Sequence, residues 1–275
     1  MSKSGALLEE LVVSCRILVA HDILQDSGSI SVRNPRNTSS FIVNDLPAAL
    51  TTSVEHLRER SIADGSLIPQ VAQNTDDTRP EVAFTEPLVH SSIYARYADV
   101  QCVIHSQSSN SIIYGLCNAV GSMLLPAHNK AGFLAKHCPI FNPADFYNAL
   151  PDSSPRDLRI SHSTLGEAMA ERLLSHDNYI SNGPRHLPDY GCILLRGNGM
   201  AVWGRSLYET VHKAIHFERN AFIQTAAMLQ RTHSDLEVTY LTDREAEDSE
   251  EKALQESEIL WRAWAAKVGA YDGAA

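Results

Sequence analysis

The stretch TEPLVHSSIYARYADVQCVIHSQS, residues 85–108, decides how the rest of the chain is read. Its first half predicts a helix over roughly 86–97. The run Val100-Gln101-Cys102-Val103-Ile104 then predicts a strand that delivers His105 at its C-terminal end. Residues i and i+2 of a strand point to the same face, so His105 and Gln107 are set side by side. A carboxylate, Glu86, stands at the start of the helix. The segment thus reads as a helix followed by a strand, with polar groups where each meets a loop.

The elements on either side extend this pattern. Leu8, Leu11, Val12, Cys15 and Val19 fall on one helical stripe, which predicts an amphipathic helix over residues 5–25. Asp26-Ser27-Gly28-Ser29 breaks it, Ile30-Ser31-Val32-Arg33 alternates as a short strand, and Phe41-Ile42-Val43 offers a second. The polar stretch 62–80 reads as a loop. Ser163 to Ser175 predicts a helix with Leu165, Met169, Leu173 and Leu174 inward, its start left open because Ser163 and Glu167 lack capping-box spacing. Cys192–Leu195 and Met200–Trp203 predict a hairpin around the tight turn Gly197-Asn198-Gly199. Long helices follow over 206–230 and 243–267, the last burying Leu254, Trp261 and Trp264. There is no internal repeat.

Bulk properties limit the function classes. The chain has 275 residues, 44% hydrophobic and 20% charged, which suits one domain with an appended tail and a core large enough to fold without a metal or disulfide. A formal charge of -10 argues against nucleic acid and anionic membrane as partners. Much of that charge is local, in Asp243, Glu245, Glu247, Asp248, Glu250, Glu251, Glu256 and Glu258, and reads as a solvated helix face. Five cysteines, scattered and without a CxxC pair, fit a reducing compartment, and four lie beside apolar residues as small buried hydrophobes do. Acidic residues interrupt the apolar stretch near the N-terminus, which a secretory signal excludes. No run of about 18 uncharged apolar residues exists to span a membrane. A cytoplasmic location is the resulting expectation, and the Asn37-Thr38-Ser39 sequon is then idle.

Four segments, in order, carry a resemblance: SGSISVRNP (27–35), residues 85–108 above, LLPAHNKAGFLAKHCPIF (124–141) and ILLRGNGMAVWGRSLYETVHKAIHFERNA (193–221). Together they resemble the class II aldolase/adducin family, particularly its fungal-type branch, over roughly residues 5–230. The resemblance implies a three-layer α/β/α domain around a largely antiparallel mixed sheet, spanning 1–240. The acidic helix of 241–275 would pack on it or on a neighbouring subunit. It also implies a homotetramer with sites between subunits.

In the family's aldolases an HxH pair and the histidine of a later HG turn hold a zinc or similar ion, beside a glutamate that transfers the proton. By that resemblance Glu86 matches the glutamate and His105 the first ligand, while Gln107 and Asn198 replace the other two imidazoles. Neutral amide oxygens are poor zinc ligands. The expectation is therefore no tightly bound cofactor, with at most a weak or vestigial divalent metal such as zinc at His105. Carboxamides donate as well as accept, so they could hold a substrate oxygen where the ion sat. Drift in a lineage that lost catalysis would leave the same residues.

The implied site then comprises Glu86, His105 and Lys130 as catalytic residues, with Gly28, Ser29, Gln107, His128 and Asn198 binding substrate. Lys130 matches a position from which some family epimerases reach into a neighbour's site; the bland reading is a surface lysine. Ser29 after Gly28, and Phe84-Thr85 before Glu86, differ from the phosphate-binding pattern, which points to an unphosphorylated small substrate. Arg33 reads as fold-stabilising, with an anion contact as the alternative, and His90 reads as structural. His212 and His216, at i and i+4 with Glu218 nearby, could bind a metal but lack an HExxH-like base. No Ser-His-Asp signature, phosphate loop or dinucleotide fingerprint is present. The implied activity is lyase or isomerase chemistry next to a carbonyl; a non-catalytic adducin-like scaffold and a metal aldolase with unusual ligands are the alternatives.

Overall fold

The computed structural model describes residues 3–25, 27–69, 86–117, 123–135, 137–175, 186–231 and 237–270. Among the described residues seven strands, β1 (Gly28–Arg33), β2 (Ser40–Asn44), β3 (Leu57–Ser61), β4 (Cys102–Ser106), β5 (Ile140–Phe141), β6 (Cys192–Leu195) and β7 (Gly199–Gly204), form one sheet. Their order is β3-β2-β1-β4-β7-β6-β5. Every neighbouring pair is antiparallel except β5 with β6, which is parallel. The helices are α1 (Lys3–Ala20), α2 (Pro87–Arg96), α3 (Ser109–Leu116), α4 (Ser163–Glu171), α5 (Leu207–Arg231) and α6 (Asp243–Lys267).

Strand alternation sorts the side chains into two cores. Ile30, Cys102, Ile104, Leu194, Met200 and Val202 face one way, against Leu11, Cys15 and Leu18 of α1, Val211 and Phe217 of α5 and Trp261 of α6. Val43, Val103, Ile193, Leu195 and Ala201 face the other way, against Val89, Ile93 and Tyr94 of α2 and Leu165 and Met169 of α4. The result is the three-layer α/β/α arrangement with a mostly antiparallel sheet.

Several boundaries differ from expectation for physical reasons. The strand after α2 begins at Cys102, so His105 lies within β4, opposite Ser29 of β1 and Ala201 of β7. The edge strand β3, sequence LRERS, reads as polar because Arg58 and Glu59 are only half buried, while Arg60 turns inward onto Asp45 at 2.9 Å. The short elements α3 and β5 escaped notice because each offers too few residues for a period to emerge. The start of α4 is capped by His162, whose ring accepts the Thr164 N–H. Part of the loop expected at 62–80, and Phe84 with Thr85, lie outside the described residues.

The last helix also corrects the expectation in part. It starts on a capping box of Thr242 with Glu245, and Trp261 and Trp264 are buried, but Leu254 is 39% exposed. Trp261 donates its indole N–H to Ser14 of α1 at 2.9 Å. Both tryptophans are thus covered within the chain, and they give no reason to expect a second subunit.

Candidate active site

The hairpin turn between β6 and β7 brings Asn198 to Glu86. Gly197 and Gly199 both take positive φ, at 66° and 81°, which glycine adopts without a Cβ clash. A Cβ on Gly199 would sit 1.9 Å from the Ser106 carbonyl oxygen, so only glycine lets this turn close onto the end of β4. Glu86 precedes α2 as its N-cap and is buried, as are His105 and Asn198.

Their polar atoms form a directed chain. The Asn198 Nδ2 donates to both Glu86 oxygens, at 3.1 and 3.0 Å. Its Oδ1 accepts from Gln107 Nε2 at 2.6 Å, and Gln107 Oε1 accepts from the Ser27 hydroxyl at 2.5 Å. A carboxylate only accepts, so Glu86 dictates the polarity of every amide behind it. The backbone N–H of Ile160 donates to Glu86 Oε2 at 2.7 Å, and the Arg159 guanidinium lies 3.5 Å from Oε1. Arg159 is 40% exposed, so a cationic group stands at the mouth of a buried carboxylate. The imidazole of His105 lies 3.0 Å through Nε2 from the Asn198 carbonyl oxygen. That oxygen can only accept, so the proton is assigned to Nε2.

These residues do not fit the zinc that the family's aldolases hold. One imidazole is present, with the proton assigned to its Nε2, and the two carboxamides are engaged with each other, Asn198 also with Glu86 and Gln107 with Ser27. Among the described residues no group of three or more His, Cys, Asp or Glu side chains is set to hold an ion.

Of the other expected site residues, Gly28 has φ 109°, and a Cβ there would meet the His105 carbonyl oxygen at 2.7 Å, so its role is close backbone approach. Ser29 points its hydroxyl at His90 Nε2, and Ser31 bonds the other ring nitrogen, each at 2.7 Å. Burial pushes His90 down to about 3, and it is a neutral structural link between β1 and α2. Arg33 is likewise structural: it donates to the carbonyls of Val100, Tyr94 and Tyr97. Ser27, Arg159 and Ile160 were missed by sequence reasoning. They reach Glu86 and Gln107 through long-range folding, and a lone serine or arginine in a loop carries no local signal.

Lys130 and His128 lie on the other face of the sheet, over α5. Lys130 pairs with Glu256 of α6, and the His128 ring sits 5.5 Å from that of His216, which in turn is 4.3 Å from that of His212. Within one chain they do not meet Glu86. Glu218 is turned away from the two histidines of α5, accepting from Ser108 Oγ at 2.6 Å and Asn110 Nδ2 at 2.7 Å. Among the described residues no helix is long and apolar enough to cross a membrane.

The chain is 29% identical over 266 residues to the protein named Decarboxylase tropJ of Talaromyces stipitatus, covering 94% of this chain and 92% of that one. Among solved structures it resembles the L-fuculose 1-phosphate aldolase of Glaciozyma antarctica, with TM-score 0.68 and 17% identity over 97% of this chain and 90% of that one. It is equally similar to an aldolase II superfamily protein from Pseudomonas syringae, with TM-score 0.68 and 17% identity over 98% and 94%. At that identity the structural likeness speaks for the fold alone. The model of the family described as Class II Aldolase and Adducin N-terminal domain matches residues 9–225, and the chain belongs to that family.

Proposed function

We propose that the chain is a lyase that breaks a carbon–carbon bond next to a carbonyl of an unphosphorylated small metabolite, decarboxylation foremost, with Glu86 as the proton-transfer group. The observation that carries this reading is the buried Glu86 carboxyl, gripped by Asn198, Ile160 and Arg159 at the mouth of the site. The relative named a decarboxylase, alike over nearly its whole length, supports the choice of reaction.

The chemistry asked of these residues is modest. The bond to the departing carboxylate breaks, its electron pair passes to the carbonyl oxygen as an enolate, and carbon dioxide leaves. The vacated carbon takes a proton relayed through Glu86 from water, so one proton is consumed overall. The Gln107 amide nitrogen carries two hydrogens and gives one to Asn198. Its second N–H and the Arg159 guanidinium are the groups on hand for the developing oxyanion. His105, Asn198 and Ser27 act by positioning. The commitment of the Ser29 hydroxyl to His90 favours a substrate without phosphate. A homotetramer in which Lys130 and His128 complete a neighbour's site, and a location in the cytoplasm, belong to the same proposal.

The test is product analysis with purified chain and a panel of unphosphorylated β-oxo and hydroxyaryl carboxylic acids. The expected result is stoichiometric carbon dioxide and a product lighter by that mass. Turnover confined to a phosphorylated sugar would overturn the reading, and no turnover of any carboxylate across the panel would favour the scaffold alternative.

A further inference from the structure

On the face of the sheet away from Glu86, at its edge, two thiols touch. Cys138 and Cys192 are 54 positions apart in sequence, yet the Cys192 thiol approaches the Cys138 sulfur at 3.1 Å. The other cysteines behave differently: Cys15 and Cys102 are buried elsewhere in the core, and Cys117 is exposed.

Strand register explains the encounter. β5 and β6 run parallel with Ile140 opposite Leu194 and Phe141 opposite Leu195. The Leu194 N–H also donates to the Pro139 carbonyl at 2.9 Å, which extends the pairing back past β5. Two residues further back, Cys138 therefore stands opposite Cys192, and both side chains enter the same core, with Leu194. Neighbouring strands lie about 4.8 Å apart, inside the roughly 4.4–6.8 Å between Cα atoms that a disulfide spans. From 3.1 Å the two sulfurs have about 1 Å to close to reach bonding distance.

We propose that Cys138 and Cys192 are a redox-sensitive staple that joins as a disulfide under oxidising conditions. Each thiol loses its hydrogen and together they give up two electrons and two protons. The oxidant is a low-molecular-weight disulfide, reduced to two thiols, or a peroxide, reduced to water. The closed loop runs from 138 to 192 and so ties down both ends of the segment that presents Arg159 and the Ile160 N–H to Glu86. It also anchors the two-residue edge strand β5.

Both thiols are buried, and burial pushes Cys138 well above the ordinary thiol range, with Cys192 adding to the effect. Attack requires a thiolate, so the native protein oxidises slowly, and the bond forms fastest during folding or local opening.

The experiment is to refold the reduced full chain in glutathione buffers of graded oxidation, then alkylate under denaturing conditions and map peptides without reduction. In oxidising buffer, alkylation should reach three of the five cysteines. The map should hold one crosslinked pair containing residues 138 and 192. The oxidised form should melt about 5–10 °C above the reduced form, and Cys138→Ala should fold, as judged by circular dichroism, yet lose that difference. Five alkylated cysteines at every glutathione ratio, or a crosslink through any other pair, would overturn the proposal.

Discussion

Two polar clusters lie on opposite faces of the same sheet and are built in opposite ways. Around Glu86 each amide oxygen has a donor and each amide nitrogen an acceptor, in a single chain from Ser27 to Ile160. Around His212 the reverse holds: His128 Nε2, His212 Nε2 and His216 Nδ1 are buried with no hydrogen-bond partner. Burial, followed by nearby cations and neighbouring imidazoles, pushes His212 down to about 4 and His216 to about 2, and lowers His128. A satisfied network holds one arrangement firmly, whereas buried imidazoles resist protonation. The first cluster suits chemistry that needs a carboxyl held still. The second makes the fold sensitive to acid.

The largest effect should come from reversing one amide in the satisfied chain. Asn198→Asp removes the donor to Glu86 and sets a second carboxyl against it in a buried place. We expect a loss of about 3 kcal/mol, read as a fall in the denaturation midpoint, with Asn198→Ala costing less. If Asn198→Asp unfolds at the wild-type midpoint, the chain of bonds drawn here is not what holds Glu86.

Next comes pH. For His90, His212 and His216 the folded value lies below the ordinary 6.5, so the unfolded chain binds protons that the folded one refuses. Their contribution is complete above about pH 6.5 and is lost as pH falls below it. At pH 5 the loss should be on the order of 1–2 kcal/mol for each. Thermal midpoints from pH 8 to 5 should fall steadily below 6.5, and His216→Phe should flatten the slope. A midpoint unchanged down to pH 5 would contradict the contrast between the clusters.

Much of this was legible from local pattern. Residues 85–108 set Glu86 before a helix and His105 on a strand because period and turn chemistry are written in consecutive residues. The hairpin at 192–203 was legible for the same reason, since Gly197 and Gly199 are needed at positive φ. What could not be read was anything decided by distant partners. Leu254 has an apolar side chain yet stays 39% exposed. Arg159 and Ile160 meet Glu86 across 73 and 74 positions, and no nearby residue announces it. Cys138 and Cys192 looked scattered until β5 and β6 paired.

A smaller effect probes whether the second cluster serves the first in another copy. Lys130→Met breaks the pair with Glu256, which is partly exposed, so the melting midpoint should hardly move. If Lys130 completes a neighbour's site, turnover should still fall by roughly 10-fold or more. Co-expressed Lys130→Met and Glu86→Gln chains should then recover activity in mixed oligomers, because some sites receive both native residues. No recovery would confine each site to one chain.

The central claim is that Glu86, held by carboxamides and not beside a metal ion, moves the proton. It is tested by turnover and substrate affinity for wild type and Glu86→Gln, each with and without a chelator. Glu86→Gln preserves size and polarity but removes the titrating group, and general acid–base catalysis contributes about 10²–10⁴-fold. The account predicts a loss of that order in turnover with little change in affinity, and wild-type activity indifferent to the chelator. Full turnover in Glu86→Gln, or wild-type activity abolished by chelator and restored by zinc, would contradict it.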